Sequence, residues 1–276
     1  MVGLIGCGRL DFDASAVPSS RDGAVAADGG PGVDAASNAG PDGAAPDGVG
    51  PDGAGPDGAP AWVPTCPVRS TAPDPLTLSG HVVEILTDQL EAAVDFEIST
   101  SAAGSVVTTA VSDAAGNFTF RIPTGGLPVL PFIKSSKPGL LTDYDESNQP
   151  FDGDESGLVI YTGRQADLDM AYAAAGLTED PARGSVVVKI VDCATTPIAG
   201  ATVTTSPASR AVYADSARNP DGSLAATTSS GFVYLLDVPT GPLTITAAAT
   251  GLVFPPAPLT VHQNPDVSST NVYASP

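Results

Sequence analysis

After Trp62 the apolar positions fall at alternate residues in short β-branched runs, separated by Gly, Pro, Asp and Asn, and almost no helical spacing remains. Phe118-Thr119-Phe120-Arg121-Ile122 is the clearest case, with the apolar side chains on one face of a strand and the polar ones on the other. The same pattern predicts strands over 78–85, 94–100, 105–112, 117–122 and 129–134, and again over 185–191, 201–205, 232–236, 243–249 and 271–274. Asp113-Ala114-Ala115-Gly116-Asn117 closes a predicted hairpin, Gly116 supplying the positive φ that such loops use. Between the two sets a short helix is predicted from Arg164 to Gly176, with Leu168, Tyr172 and Ala175 on one face and Gly176 as its stop.

Both halves present their signals in the same order. Gly80-His81-Val82-Val83 answers to Gly184-Ser185-Val186-Val187, and Ala92-Ala93-Val94 to Gly200-Ala201-Thr202-Val203. The run from Thr109 to Phe118 answers to Thr228-Ser229-Ser230-Gly231-Phe232, and Ile122-Pro123-Thr124-Gly125 to Val238-Pro239-Thr240-Gly241. Shared landmarks without shared identity predict two copies of one module.

The second copy carries Pro197-Ile198-Ala199-Gly200-Ala201-Thr202-Val203, then Thr228 to Phe232, then Pro239-Thr240-Gly241. In this it resembles the carboxypeptidase regulatory-like family, a transthyretin-like β-sandwich. The first copy keeps Asp113 to Phe118 but departs at Gln89-Leu90-Glu91-Ala92-Ala93-Val94, where the family's Pro and Gly are missing. The resemblance extends over about 190 residues. It implies an all-β chain of two tandem sandwich domains joined by a short helix, and no particular activity, since such modules serve as spacers, stabilising appendages and binding platforms. The enzymes with transthyretin-like folds, hydroxyisourate hydrolases and intradiol dioxygenases, use several His residues or Tyr and His on iron. With only His81 and His262, this chain resembles neither.

Ahead of the folded part, residues 8–65 repeat Pro-Asp-Gly-Ala units, as in Pro41-Asp42-Gly43-Ala44-Ala45, with too few apolar side chains to offset the entropy of ordering the backbone. A disordered tether is expected, reaching about 40 Å by the scaling for Gly-rich chains. Leu4-Ile5-Gly6-Cys7, in residues 1–7, has the residue types that surround a lipidated cysteine in bacterial lipoproteins. Met1 to Gly6 is too short to supply a basic n-region and an apolar h-region, so the segment reads as a truncated signal remnant with translation starting upstream. The domains are then 66–176 and 177–276, roughly two small cores.

The formal charge of −20, from 11 Lys and Arg against 31 Asp and Glu, excludes nucleic acid as a partner and disfavours direct contact with anionic headgroups. Any membrane attachment is expected through the lipid on Cys7. Cys7, Cys66 and Cys193 carry no metal-ligand spacing. If Cys7 is acylated, Cys66 and Cys193 remain, and in an oxidising envelope such a pair is usually bridged; the competing reading makes each a small buried apolar residue of its own module.

For a site, the sequence offers little. His81 and His262 stand beside predicted strands without ligand partners, and no Gly-x-Ser-x-Gly elbow is present. Asp143, Asp145, Ser147 and Asp154 occupy positions 1, 3, 5 and 12 of a calcium loop, but Asn148 replaces the turn Gly and an Asp the closing Glu. Tyr144, Phe151 and Tyr161 nearby read as core or as a sugar-stacking face. Together these features predict a non-enzymatic, cofactor-free lipoprotein of the cell envelope, at the outer membrane or cell surface, with a structural or ligand-binding role. A carbohydrate- or protein-binding adhesin is the second reading and a hydrolase the third.

Overall fold

The computed structural model describes residues 65–100 and 104–275. Cys7 and almost all of the Asp/Gly/Pro segment lie outside the described residues. In the first copy, β1 (Leu76–Glu84) is flanked by β4 (Asn117–Ile122), antiparallel, and β7 (Glu155–Thr162), parallel. A second layer runs β3 (Thr108–Val111), β2 (Asp95–Ser99), β5 (Phe132–Ser136) and β6 (Asp143–Glu146). The alternation of Phe118, Phe120 and Ile122 turns these side chains onto Phe96 and Ile98 of the facing layer. Phe96 meets Phe118 and Phe120 with ring centres 5.5 and 5.2 Å apart, so the aromatic cluster locks the layers together.

The second copy repeats this plan. β8 (Arg183–Val191) lies between β12 (Phe232–Pro239), antiparallel, and β15 (Val267–Tyr273), parallel, as β1 lies between β4 and β7. β9 (Thr202–Ser206), β13 (Gly241–Ala248) and β14 (Ala257–Val261) form the meander that β2, β5 and β6 form in the first. One strand changes partner: β10 (Arg210–Ala214), which carries the short β11 (Pro220–Asp221), pairs with β12, whereas β3 stays with β2.

The all-β expectation holds, with α1 (Gln165–Ala175) between the copies. Asp167 accepts the Arg164 backbone N–H at 2.6 Å at the start of α1, and Gly176 ends it in the left-handed conformation at φ 67°. Leu168, Ala171 and Tyr172 pack onto Val212, Tyr234 and Leu236 of the second copy, so the helix covers a sheet face as well as connecting two elements.

The copies are also joined in a way that the hydrophobic pattern does not reveal. β6 pairs in parallel with β15, Asp143 opposite Val267 and Asp145 opposite Ser269, producing a nine-stranded sheet that runs β11-β10-β12-β8-β15-β6-β5-β2-β3. Each of two edge strands thereby satisfies the other's backbone groups. Five strands, β6, β7, β10, β11 and β14, are absent from the expected set; β6 is polar, β11 has only two residues and β14 carries Pro258.

The register of the duplication needs one correction. Backbone pairing places Gly116 opposite Val82 and Gly231 opposite Ile190, so Gly80 is the counterpart of Val188 rather than of Gly184. Gly80 has its own cause: a Cβ there would stand 1.9 Å from the Leu158 carbonyl oxygen, at a register shift between β1 and β7. Ala93 and Gly200 are true counterparts, at φ 54° and 79°. Around them Val94 and Ala201 donate their N–H groups to Ser112 Oγ and Thr227 Oγ1, which in turn donate to Glu91 and Ile198 carbonyls. The first copy makes this turn with Ala93 where the second has Gly200.

Candidate functional site

A cavity of about 510 Å³ lies where the long sheet crosses from one copy to the other. Its volume falls within the range of small-molecule sites. Strands β6, β15 and β8 form one wall, β7 faces them, and the first turn of α1 stands at one end. At the other, Cys66 and Cys193 are joined with sulfurs 2.05 Å apart and Cα atoms 5.5 Å apart. Gln149 holds the Cys66 backbone from both sides, accepting its N–H and donating to its carbonyl.

Strand alternation sets the chemistry of the sheet wall. Asp143 and Asp145 turn inward from β6, while Tyr144 and Glu146 turn away, Tyr144 stacking on His262 at 3.6 Å and Glu146 accepting the Thr260 N–H at 3.1 and 3.2 Å. Asp143 is buried; its Oδ2 accepts from Ser269 Oγ at 2.8 Å and its Oδ1 has no partner. Burial, reinforced by the charge of Asp145, holds the Asp143 carboxyl well above the usual carboxylate range. Asp145 makes no hydrogen bond or ion pair among the described residues, and burial alone raises it to about 7. Glu146, on the opposite face, is raised by burial to about 7 as well.

Lys189 stands on the same wall, its Nζ 5.3 Å from the Tyr161 ring centre and 5.6 Å from that of Phe232. Burial and the nearby Arg218 charge lower its pKa. It forms no ion pair among the described residues; aromatic faces supply its electrostatic partner. Tyr273, two strand positions beyond Asn271 on β15, is pushed up to about 12 by burial and the Asp145 charge. Ile133, Leu158, Ile160 and Val187 supply apolar wall.

The four residues with calcium-loop spacing do not come together as such a loop. Asp143 and Asp145 belong to a strand, Ser147 Oγ donates to the Gln149 carbonyl at 2.6 Å, and Asp154 accepts the Thr77 N–H at 2.7 Å. No group of three or more His, Cys, Asp or Glu among the described residues is disposed to hold a metal ion. Asp143 and Asp145 are drawn into β6 between β5 and β15, while Ser147 and Asp154 are held by separate partners. His81 sits on β1, and His262 borders a small recess of about 180 Å³ with Glu97, Lys134 and Glu146. Its ring contact there is the Tyr144 stack, while Lys134 pairs with Glu97 at 3.1 Å and Glu146 with Thr260. Tyr161 lies against Phe232 and the cavity, and Phe151 packs on the first core.

Sequence reasoning missed Lys189, Ser269, Asn271 and Tyr273. The available signal was Lys189 itself, a charge inside the otherwise apolar run Val186-Val187-Val188-Lys189-Ile190-Val191, where a solvated strand would alternate.

The class defined by these strands is a paired β-sandwich with an enclosed polar seam. No family model matches the chain, and no curated protein matches it. Solved structures that it resembles include the Bacillus anthracis TIE protein, at 14% identity over 72% of this chain and 34% of that one, with a TM-score of 0.26. The shaft pilin SpaA of Lactobacillus rhamnosus GG is similar at 13% identity over 75% and 98% of the two chains, with a TM-score of 0.23. BcpA, the major pilin subunit of Bacillus cereus, gives 9%, 73% and 99%, with a TM-score of 0.25.

Proposed function

We propose that this chain is a non-enzymatic cell-envelope lipoprotein, anchored through Cys7, whose Asp/Gly/Pro segment holds a paired β-sandwich body away from the membrane in a structural or ligand-binding role. The observation that carries the reading is the Cys66–Cys193 bridge, which spans the two copies across a sequence separation of 127 residues and suits an oxidising compartment. The carboxypeptidase regulatory-like resemblance is supported by the repeated placement of β1 and β8 between an antiparallel and a parallel neighbour. No helix among the described residues is long and apolar enough to cross a membrane. Fatty-acid labelling of the chain, expressed behind an upstream signal in a bacterial host, tests the proposal. The wild type is expected to take up label and to fractionate with the envelope, and Cys7→Ser to lose both; an unlabelled, cytosolic wild type contradicts it. A binding role is favoured over a purely structural one by the cavity at the seam.

A further inference from the structure

The geometry points to the seam cavity as a binding site for a small amphipathic amine, its ammonium group on Asp145 with Asp143 behind and its apolar body against Ile133, Leu158, Ile160 and Phe232. Three observations converge. The space, about 510 Å³, is that of a ligand site and mostly apolar away from β6. Asp145 reaches it with no hydrogen-bond or ion-pair partner among the described residues, and the buried Asp143 keeps an unpartnered Oδ1 beside it. A buried polar atom without a partner costs about 1–3 kcal/mol, more for a charge, so this arrangement is satisfied better with a donor present than without.

Charge selects the ligand's sign. Five carboxylates, Asp143, Asp145, Asp152, Glu155 and Asp167, line the cavity against the one ammonium of Lys189. Asp152 and Asp167 are engaged by the backbone N–H groups of Arg69 and Arg164. Glu155 is exposed and lies near Arg69, which leaves Asp143 and Asp145 without a cation, while Lys189 rests on Tyr161 and Phe232. An incoming ammonium favours ionisation of the pair on β6 and is balanced by it, whereas an anion finds no partner on that strand. Ser269 Oγ, already donating to Asp143, has lone pairs to accept from an ammonium, so the donor would have several acceptors at one end of the cavity. A bare metal ion is a poorer match, since no three acidic, His or Cys side chains converge among the described residues. Binding does not depend on where the chain resides, so this proposal and the envelope reading stand or fall separately.

The test is calorimetric titration of the full chain with n-hexylamine and with hexan-1-ol, its uncharged counterpart, at pH 7. Hexylamine is expected to bind at least tenfold more tightly than hexanol, and Asp145→Asn to remove that advantage while leaving hexanol binding intact. Asp221→Asn, on the remote strand β11, is expected to change neither. Because carboxyls held partly protonated must ionise to receive the ammonium, hexylamine binding to the wild type should also release protons, read from titrations in buffers of different ionisation enthalpy. This second readout does not rely on a variant that folds. Equal affinities for amine and alcohol, an advantage that survives in Asp145→Asn, or amine binding without proton release would each overturn the proposal.

Discussion

The two copies build the same meander and finish it with opposite chemistry. In the second, β9, β13 and β14 align Thr205, Ile245 and Ala257 in one row, and Val203 sits beside Ala247 in the next. In the first, β2, β5 and β6 align Ile98, Ile133 and Asp145, then Phe96, Ser135 and Asp143. Ala247 and Ala257 are sealed within the second core, while their counterparts are Ser135, with an unpartnered Oγ, and Asp145, which opens on the cavity. The same backbone thus supports a dry core and a polar one. What differs is the edge: β14 ends its sheet, whereas β6 is joined to β15, so the polar positions of the first copy lie at an internal seam enclosed by the second. The sealed core and the shared sheet supply stability that a polar seam alone would not.

Substitutions that exchange features between the copies test this comparison. The largest effect is expected from Gly80→Val, which gives β1 the residue its counterpart holds at Val188. The new Cβ would meet the Leu158 backbone, and a loss of about 3 kcal/mol or more, or failure to fold, should follow in urea unfolding. If the variant is as stable as wild type, the assigned register is wrong. Next, replacing Cys66 and Cys193 by Ser should lower stability by roughly 2–5 kcal/mol, because the bridge closes a long loop across both copies. An unchanged denaturation midpoint would mean that the seam holds without it.

A smaller and pH-dependent effect belongs to Asp145. Its folded pKa of about 7 lies above the ordinary 3.8, so the native state binds the proton more tightly than the unfolded chain does. The resulting stabilisation is fully present below about pH 4 and is lost as pH rises through 7, leaving the wild type less stable at pH 8 than at pH 5. Glu146 and Asp143 act in the same direction. Asp145→Ala, which installs the residue of the second copy, should flatten this slope and raise stability at pH 8 by on the order of 2 kcal/mol. A slope unchanged by the substitution would remove Asp145 from the account. The smallest effect is expected at Ala93→Gly: relieving the left-handed strain at φ 54° should stabilise by about 0.5–1 kcal/mol, visible as a higher melting temperature.

Much of the sandwich was legible because alternation is a local signal. Phe118 to Ile122 and Ser185 to Val191 state their faces directly, and Gly176 marks the helix end as well in sequence as in structure. The polar strands were not legible. Asp143-Tyr144-Asp145-Glu146 has a strand's geometry, but its apolar-facing positions are acidic, so composition suggested a loop and its spacing a calcium site. The pairing of β6 with β15 joins residues more than 120 positions apart, which no window along the chain can register. Lys189 and Ser269 became site residues only through that pairing. The Gly80 and Gly184 equivalence misled because each glycine avoids a different backbone collision, with Leu158 and with His262, in strands that otherwise look alike.

The central claim, that the first copy keeps an unpaired, half-buried carboxyl on the cavity wall where the second has Ala257, is tested most directly by the Asp145 titration itself. Carboxyl ¹³C chemical shifts of the folded chain, followed from pH 3 to pH 9 with Asp145→Asn to assign the resonance, should give a midpoint near 7. A midpoint near the ordinary value of 3.8 would place Asp145 in solvent or in an ion pair and contradict the account.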